Sequence, residues 1–192
     1  RSVLHVPESK PGHCLKAKFI RGIQELGRKG LLFDICIRPA ELSDATKLVT
    51  ACPETTFVID HCGNADPHVI NGEKVLGDDY DGSPFWHTAE GWKEDMAALG
   101  ALPNTFCKIS GIVARAQEGW KAETLAPTIN HCLDSFGEQR VIFGGDWPVC
   151  LFGAQLNKWV AAYREVLSKR SKFFQNKAMF SNAIQLYRLH EY

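Results

Sequence analysis

At 192 residues the chain has room for one sizeable domain and too little for two, because domains cluster near about 100 to 150 residues. Its 22 basic and 22 acidic side chains cancel, so no cationic surplus exists to neutralise phosphates and nucleic acid is not expected as a partner. With 45% hydrophobic and 23% charged residues, and no apolar run near the roughly 18 residues of a membrane span, neither a disordered nor a membrane-spanning chain is expected.

The chain begins at Arg1, without Met, and residues 1–12 lack the apolar core of a signal peptide, which reads as an interior cut. A first strand is expected over residues 2–6. After it comes AKFIRGIQELGRKG, where Phe19, Ile20, Ile23 and Leu26 share a helical face and Gly30 supplies a stop. A second strand over 31–37 leads into ELSDATKLVTAC, with Leu42, Ala45, Leu48 and Val49 at helical spacing. Strands over 56–60, 105–110 and 140–143 are followed by helical WKEDMAALGAL, LAPTINHCLDSFG and LNKWVAAYREVLSK. Such alternation predicts an α/β fold of parallel strands with crossover helices. LLFDICI and TFVID are nearly continuous apolar runs, the pattern of strands covered on both faces. Residues 63–90 are too long for a plain connection and read as an active-site loop or cover. No strand is followed by a Gly-rich phosphate loop.

Seven cysteines occur without a Cys-x-x-Cys pair. Cys36, Cys62, Cys107 and Cys150 lie in or beside apolar runs, where a free thiol behaves as a small hydrophobe. This usage points to a reducing, cytoplasmic setting. It disfavours a metal cluster of cysteines, because structural zinc sites draw on closely spaced thiolates.

Polar residues gather at the carboxyl ends of the expected strands, where α/β folds bind ligands. FVIDHCGN places His61 there, and RVIFGGDWPV places Asp146 and Trp147. TFCKISG carries Lys108 and Ser110 on one alternating face, and LLFDICIRP carries Asp34, Cys36 and Arg38. An imidazole and a carboxylate at neighbouring strand ends can share one divalent ion or one water, the equipment of hydrolysis. The competing reading of His61 is a buried histidine satisfied by backbone groups, and that of Asp146 a turn residue. Arg38 before a proline reads equally as a strand terminator. Lys108 and Ser110 lean toward a snorkelling cation and a turn hydroxyl. Asp34 and Asp60, inside apolar strands, are expected to be paired structurally. His5, His68, His87, His131 and His190 have no partner at ligand spacing, although His68 and His87 lie in the long loop.

FVIDHCGN, WKEDMAAL, PNTFCKISG and FGEQRVIFGGDWPV, in this order, resemble the amidohydrolase-related family of metal-dependent-hydrolase barrels, in its branch of sugar-lactone and pyrone-dicarboxylate lactonases. GLLFDICIRP upstream and FSNAIQLYRL at the end extend the likeness over nearly the whole chain. The resemblance implies an incomplete (β/α)8 TIM barrel in which residues 1–192 form a single domain carrying strands 4 to 8 with their helices, since a whole barrel needs about 250 residues. It also implies that Asp146 is the catalytic residue ending strand 8 and His61 the metal-binding or substrate-polarising histidine of strand 6. Both would serve as ligands of a divalent metal, zinc foremost, with metal-free catalysis as the alternative. Arg38, Lys108, Ser110 and Trp147 are the expected substrate contacts.

The family's His-x-His pair of strand 1 has no counterpart here, so this chain alone is expected to be crippled. The implied activity is opening of a cyclic ester, a sugar-derived or carboxylated lactone, by attack of water. Decarboxylation by the same barrel and a non-catalytic remnant are the competing functions. The expected partner is a small-molecule substrate, and a homo-oligomer is compatible with the sequence.

Overall fold

The computed structural model describes residues 2–6, 8–74, 83 and 85–189. Among them, five strands form one sheet: β1 (Ser2–Val3), β2 (Phe33–Cys36), β3 (Phe57–Ile59), β4 (Thr105–Ile109) and β5 (Val141–Phe143). They lie in chain order, each parallel to the next. One rung crosses the whole sheet through Ser2, Ile35, Ile59, Cys107 and Val141. Because strand side chains alternate, Asp34, Asp60 and Lys108 all face away from that rung, on the other side of the sheet.

The crossover helices Ala17–Arg28, Leu42–Ala51, Ala89–Gly100, Ala122–Phe136 and Leu156–Leu167 fall where the apolar spacing predicts them. Their inward residues, including Leu42, Leu48, Met96, Leu125, Leu133, Trp159 and Tyr163, join β-strand residues such as Phe57 and Ile59 in one continuous core. The last segment ends in the helix Asn182–Tyr187. Buried Asn182 donates from Nδ2 to the carbonyls of Glu138 and Val141, both at 2.8 Å, tying this terminal helix to the root of β5.

β1 is shorter than the predicted 2–6 stretch, for a local reason. The Leu4 N–H still donates to the Cys36 carbonyl at 2.7 Å, but beyond it the chain leaves β2 and is gripped by Arg38, whose guanidinium donates to the carbonyls of Leu4 (2.8 Å), Val6 (2.9 Å) and Ser9 (2.6 Å) and to the Glu41 carboxylate (2.7 Å). Part of the predicted 63–90 loop lies outside the described residues, as does His190. Its described beginning is ordered by a turn at Pro67–Ile70, capped by Asp66 on the His68 N–H. No helix among the described residues is long and apolar enough to cross a membrane.

All seven cysteines are buried free thiols. Three of them, far apart in sequence, converge: Cys62, Cys107 and Cys132 place their sulfurs within 4.8 Å of one another in the core, a meeting that sequence spacing did not predict.

Candidate active site

The chain reverses sharply where β3 ends. His61, Cys62, Gly63 and Asn64 all take positive φ, from 52° to 64°. Asp146, past the end of β5, is also left-handed at φ 51°. Non-glycine residues in this region cost on the order of 1–3 kcal/mol each, and such strain collects at functional sites. Thus the two residues singled out from sequence are both held in unfavourable backbone conformations by their surroundings. Neither strain was visible as a glycine signal.

These turns bring His61, Ser110 and Asp146 together. His61 Nδ1 lies 2.9 Å from Ser110 Oγ and 3.8 Å from Asp146 Oδ2, the latter too long for a direct hydrogen bond. Burial lowers the pKa of His61 and outweighs the Asp146 and Asp60 carboxylates that would raise it, with Arg115 and Lys108 adding to the depression. The imidazole is therefore neutral at pH 7, able to accept a proton, bind a metal or donate one hydrogen bond.

Gly111 shapes the seat of this ring. At φ 73° a Cβ there would meet His61 Cβ, Cγ and Nδ1 at 2.7 to 2.8 Å. Gly111→Ala is expected to displace the imidazole and cut kcat/KM by roughly 100-fold, the scale of loss for a misplacement near 1 Å. Steady-state kinetics on a variant of unchanged circular dichroism checks this.

A cleft of about 410 Å³ opens at this end of the sheet, lined by His5, Cys36, His61, Asn64, Arg115 and Asp146 among others. Its volume lies within the usual range for small-molecule sites. The Arg115 guanidinium donates to Asn64 Oδ1 at 2.7 Å and stacks 4.3 Å from the Phe85 ring centroid. Burial draws its pKa down from the usual arginine value, against carboxylate and thiol neighbours that raise it. His5, from the segment after β1, sits with Nδ1 3.5 Å from the Cys36 sulfur. Burial, and then Arg115, lower its pKa. Another cavity, about 400 Å³, lies at the opposite strand ends around Gly30, Thr56 and Tyr187; it gathers no comparable set of titratable groups, and that end is not where such folds bind ligands.

The other predicted contacts are placed differently. Lys108 is within the sheet's polar layer, with Nζ 2.8 Å from both Asp34 Oδ2 and Asp60 Oδ1. Burial lowers its pKa, but the two carboxylates more than compensate and the net shift is upward. Arg38 is buried among the carbonyls named above and does not line the cleft. Trp147 is 68% exposed beside Asp146 and also stands outside the cleft lining. His68 is held by Glu73 (2.6 Å) and by the Gln117 N–H (3.0 Å). His87 is held by the Phe85 carbonyl (2.8 Å) and the Asp66 N–H (3.3 Å). Both histidines brace the loop.

Sequence reasoning missed Arg115, Asn64 and His5. His5 obeys the same strand-end rule that found His61 and was set aside for want of a neighbouring ligand. Arg115 follows the turn Ile112–Ala114 after β4, where no local pattern marks it.

The donor set suits a divalent ion. Cys36, Asp60 and His61 bring ligand atoms within 4.8 Å of one another, and Asp146 approaches His61 from β5. Nitrogen, oxygen and sulfur donors of this kind are those zinc accepts.

The L-fucono-1,5-lactonase of Burkholderia multivorans is 27% identical over 183 residues, covering 91% of this chain and 57% of that protein. A crystal structure of an amidohydrolase from Burkholderia multivorans with bound HEPES superposes with a TM-score of 0.84 at 25% identity, over 99% of this chain and 64% of that one. A second crystal form, with bound zinc, gives a TM-score of 0.81 at 26% identity over the same shares. The chain thus spans less than two thirds of the length of these relatives. Its strand order and parallel sheet are those of amidohydrolase TIM-barrel relatives, and with residues 2–189 matching the amidohydrolase family, the chain belongs to that family.

Proposed function

We propose that the protein, as the C-terminal five strands of a (β/α)8 barrel, supplies the catalytic carboxylate and the polarising groups of a lactone hydrolase. The substrate class is a sugar-derived or carboxylated cyclic ester. The observation that carries this reading is the convergence of Asp146, His61 and Arg115 on one cleft, each from a different strand end. Similarity to a sugar lactonase supports the choice of a cyclic ester.

In this reading Asp146 takes the proton of the attacking water as its oxygen bonds to the carbonyl carbon. His61 and Arg115 stabilise charge developing on the carbonyl oxygen. The ring C–O bond then breaks, the proton passes to the departing alkoxide, and a hydroxy acid is left. Ser110 fixes the His61 ring through Nδ1. Trp147, exposed next to Asp146, is the rim contact. His61 and Asp146 would hold a divalent metal, whose chemistry when bound is polarisation of the carbonyl and lowering of the pKa of a coordinated water. Arg38 and Lys108 enter as framework residues, since their charges are already engaged.

A pH-stat assay of the complete barrel on a panel of aldono-lactones and carboxylated lactones tests the function, with release of one acid equivalent expected. No acid release from any member sinks it, and evolution of carbon dioxide from a carboxylated substrate transfers the site to decarboxylation.

Two further outcomes are specific to residues. Arg115→Met is expected to lower kcat/KM by about 100-fold, the scale of one lost oxyanion donor, leaving thermal stability within about 2 kcal/mol. Because the His61 pKa is lowered in the folded protein, the acid limb of kcat/KM due to His61 is expected below pH 6.5. By linkage, the unfolded chain binds the His61 proton first, so His61 costs stability as pH falls from 6.5 through its folded value and nothing above. A limb above pH 6.5 that His61→Asn removed would contradict the assignment.

A further inference from the structure

The cleft contains a thiol and a second imidazole for which the hydrolytic scheme above has no use. Cys36 ends β2, and its sulfur lies 3.5 Å from His5 Nδ1 and 3.9 Å from Asn64 Nδ2. The same sulfur belongs to the set, with Asp60 and His61, whose ligand atoms all lie within 4.8 Å of one another. Two donors on one zinc ion, at about 2.0 to 2.3 Å from it, sit no more than about 4.6 Å apart, and a nitrogen and a sulfur at a tetrahedral edge about 3.5 Å. The set of Cys36, Asp60 and His61, whose ligand atoms lie within 4.8 Å of one another, needs only slight closure to meet that limit.

We propose that the protein binds zinc through a thiolate, with Cys36 and His61 as ligands from neighbouring strand ends, Asp146 beside His61, and His5 as the hydrogen-bond partner of the Cys36 sulfur. This rests on the reading of the cleft as a hydrolase site and deepens it by making the metal centre one that includes sulfur. Binding converts the Cys36 thiol to thiolate and releases its proton to solvent. Asp60 serves as an outer partner, since one of its oxygens is taken by Lys108 at 2.8 Å. Ser110 on His61 Nδ1 is the kind of second contact that orients a ligating imidazole. A thiolate ligand lowers the net charge on the ion and softens it, which favours zinc or cobalt over magnesium.

The test replaces zinc by cobalt(II) in the purified protein and reads the near-ultraviolet thiolate-to-cobalt charge-transfer absorption. The expected result is one equivalent bound with that band present, the band abolished in Cys36→Ser, and zinc affinity reduced by more than about 100-fold, since even outer contacts are worth about 10- to 100-fold. His5→Ala is expected to weaken zinc binding and to keep the band. The buried group of Cys62, Cys107 and Cys132 is the competing sulfur source. A band that survives Cys36→Ser and disappears in Cys107→Ser overturns the proposal, as does binding of cobalt without the band or no binding at all. Far-ultraviolet circular dichroism of each variant separates loss of fold from loss of ligand. Lactone hydrolysis with no thiolate band in the cobalt-loaded protein sinks this inference and leaves the hydrolase reading standing; the band without hydrolysis does the reverse.

Discussion

Replacing Asp146 by Asn is expected to lower kcat for lactone hydrolysis by about 10³- to 10⁴-fold, near the upper range for loss of a general base, while KM changes little. The substitution is a clean one for a structural reason. Asp146 sits at φ 51°, and asparagine is among the few non-glycine residues that occupy this region readily. The variant keeps the turn after β5 and the size of the side chain, and it removes the proton acceptor. Alanine at the same place would confound the chemistry with backbone strain. Stopped assays over a saturating range of lactone, with a thermal melt of the same preparation, decide the matter. A loss of less than about tenfold would remove Asp146 from the role of base.

The second large effect concerns stability. Lys108 neutralises two carboxylates that face the same side of the sheet, and Asp60 is fully buried. Lys108→Met leaves both carboxylates without their cation. Removing one partner of a buried ionic group costs about 3–5 kcal/mol, equivalent to a fall in Tm of roughly 6–20 °C for a domain of this size. Urea denaturation measures it. The neutral triple variant Asp34→Asn, Asp60→Asn, Lys108→Met is expected to recover much of the loss, because buried charge without a partner is what destabilises. A Lys108→Met variant as stable as the parent would show that the layer is solvated. Since the folded pKa of Lys108 is raised, its contribution is complete below the ordinary lysine value and is lost as pH climbs through the higher folded one.

These two residues mark what a sequence can and cannot reveal. Both lie at or near strand ends, and the apolar runs that place the strands are long and bounded by turn residues, so β2 to β5 fall within two residues of their predicted bounds. Helical spacing was equally legible, because each crossover helix has one apolar face to hide. The chemistry of Lys108 was not legible. Its partner Asp34 is 74 positions away, and whether a lysine in a strand meets a substrate or a carboxylate depends on register between strands. Arg38 illustrates the same limit, since the carbonyls it binds belong to a loop that sequence gave no reason to fold back. Asp146 and His61 were legible because a motif carried them. Arg115 and the thiol at Cys36 acquire meaning only when the turns after β2, β3 and β4 are brought to one mouth.

Chain order and sheet order coincide from β1 to β5, so each group in the cleft is delivered by its own strand-and-turn unit. Arg115 arrives with the turn after β4, His61 with the one after β3, and neither turn contributes a rung to the ladder. Selectivity and durability can therefore be inherited separately. Exchanging the short stretch around Arg115 offers a way to retune which lactones are accepted, with the Lys108 layer beneath left to keep the scaffold intact.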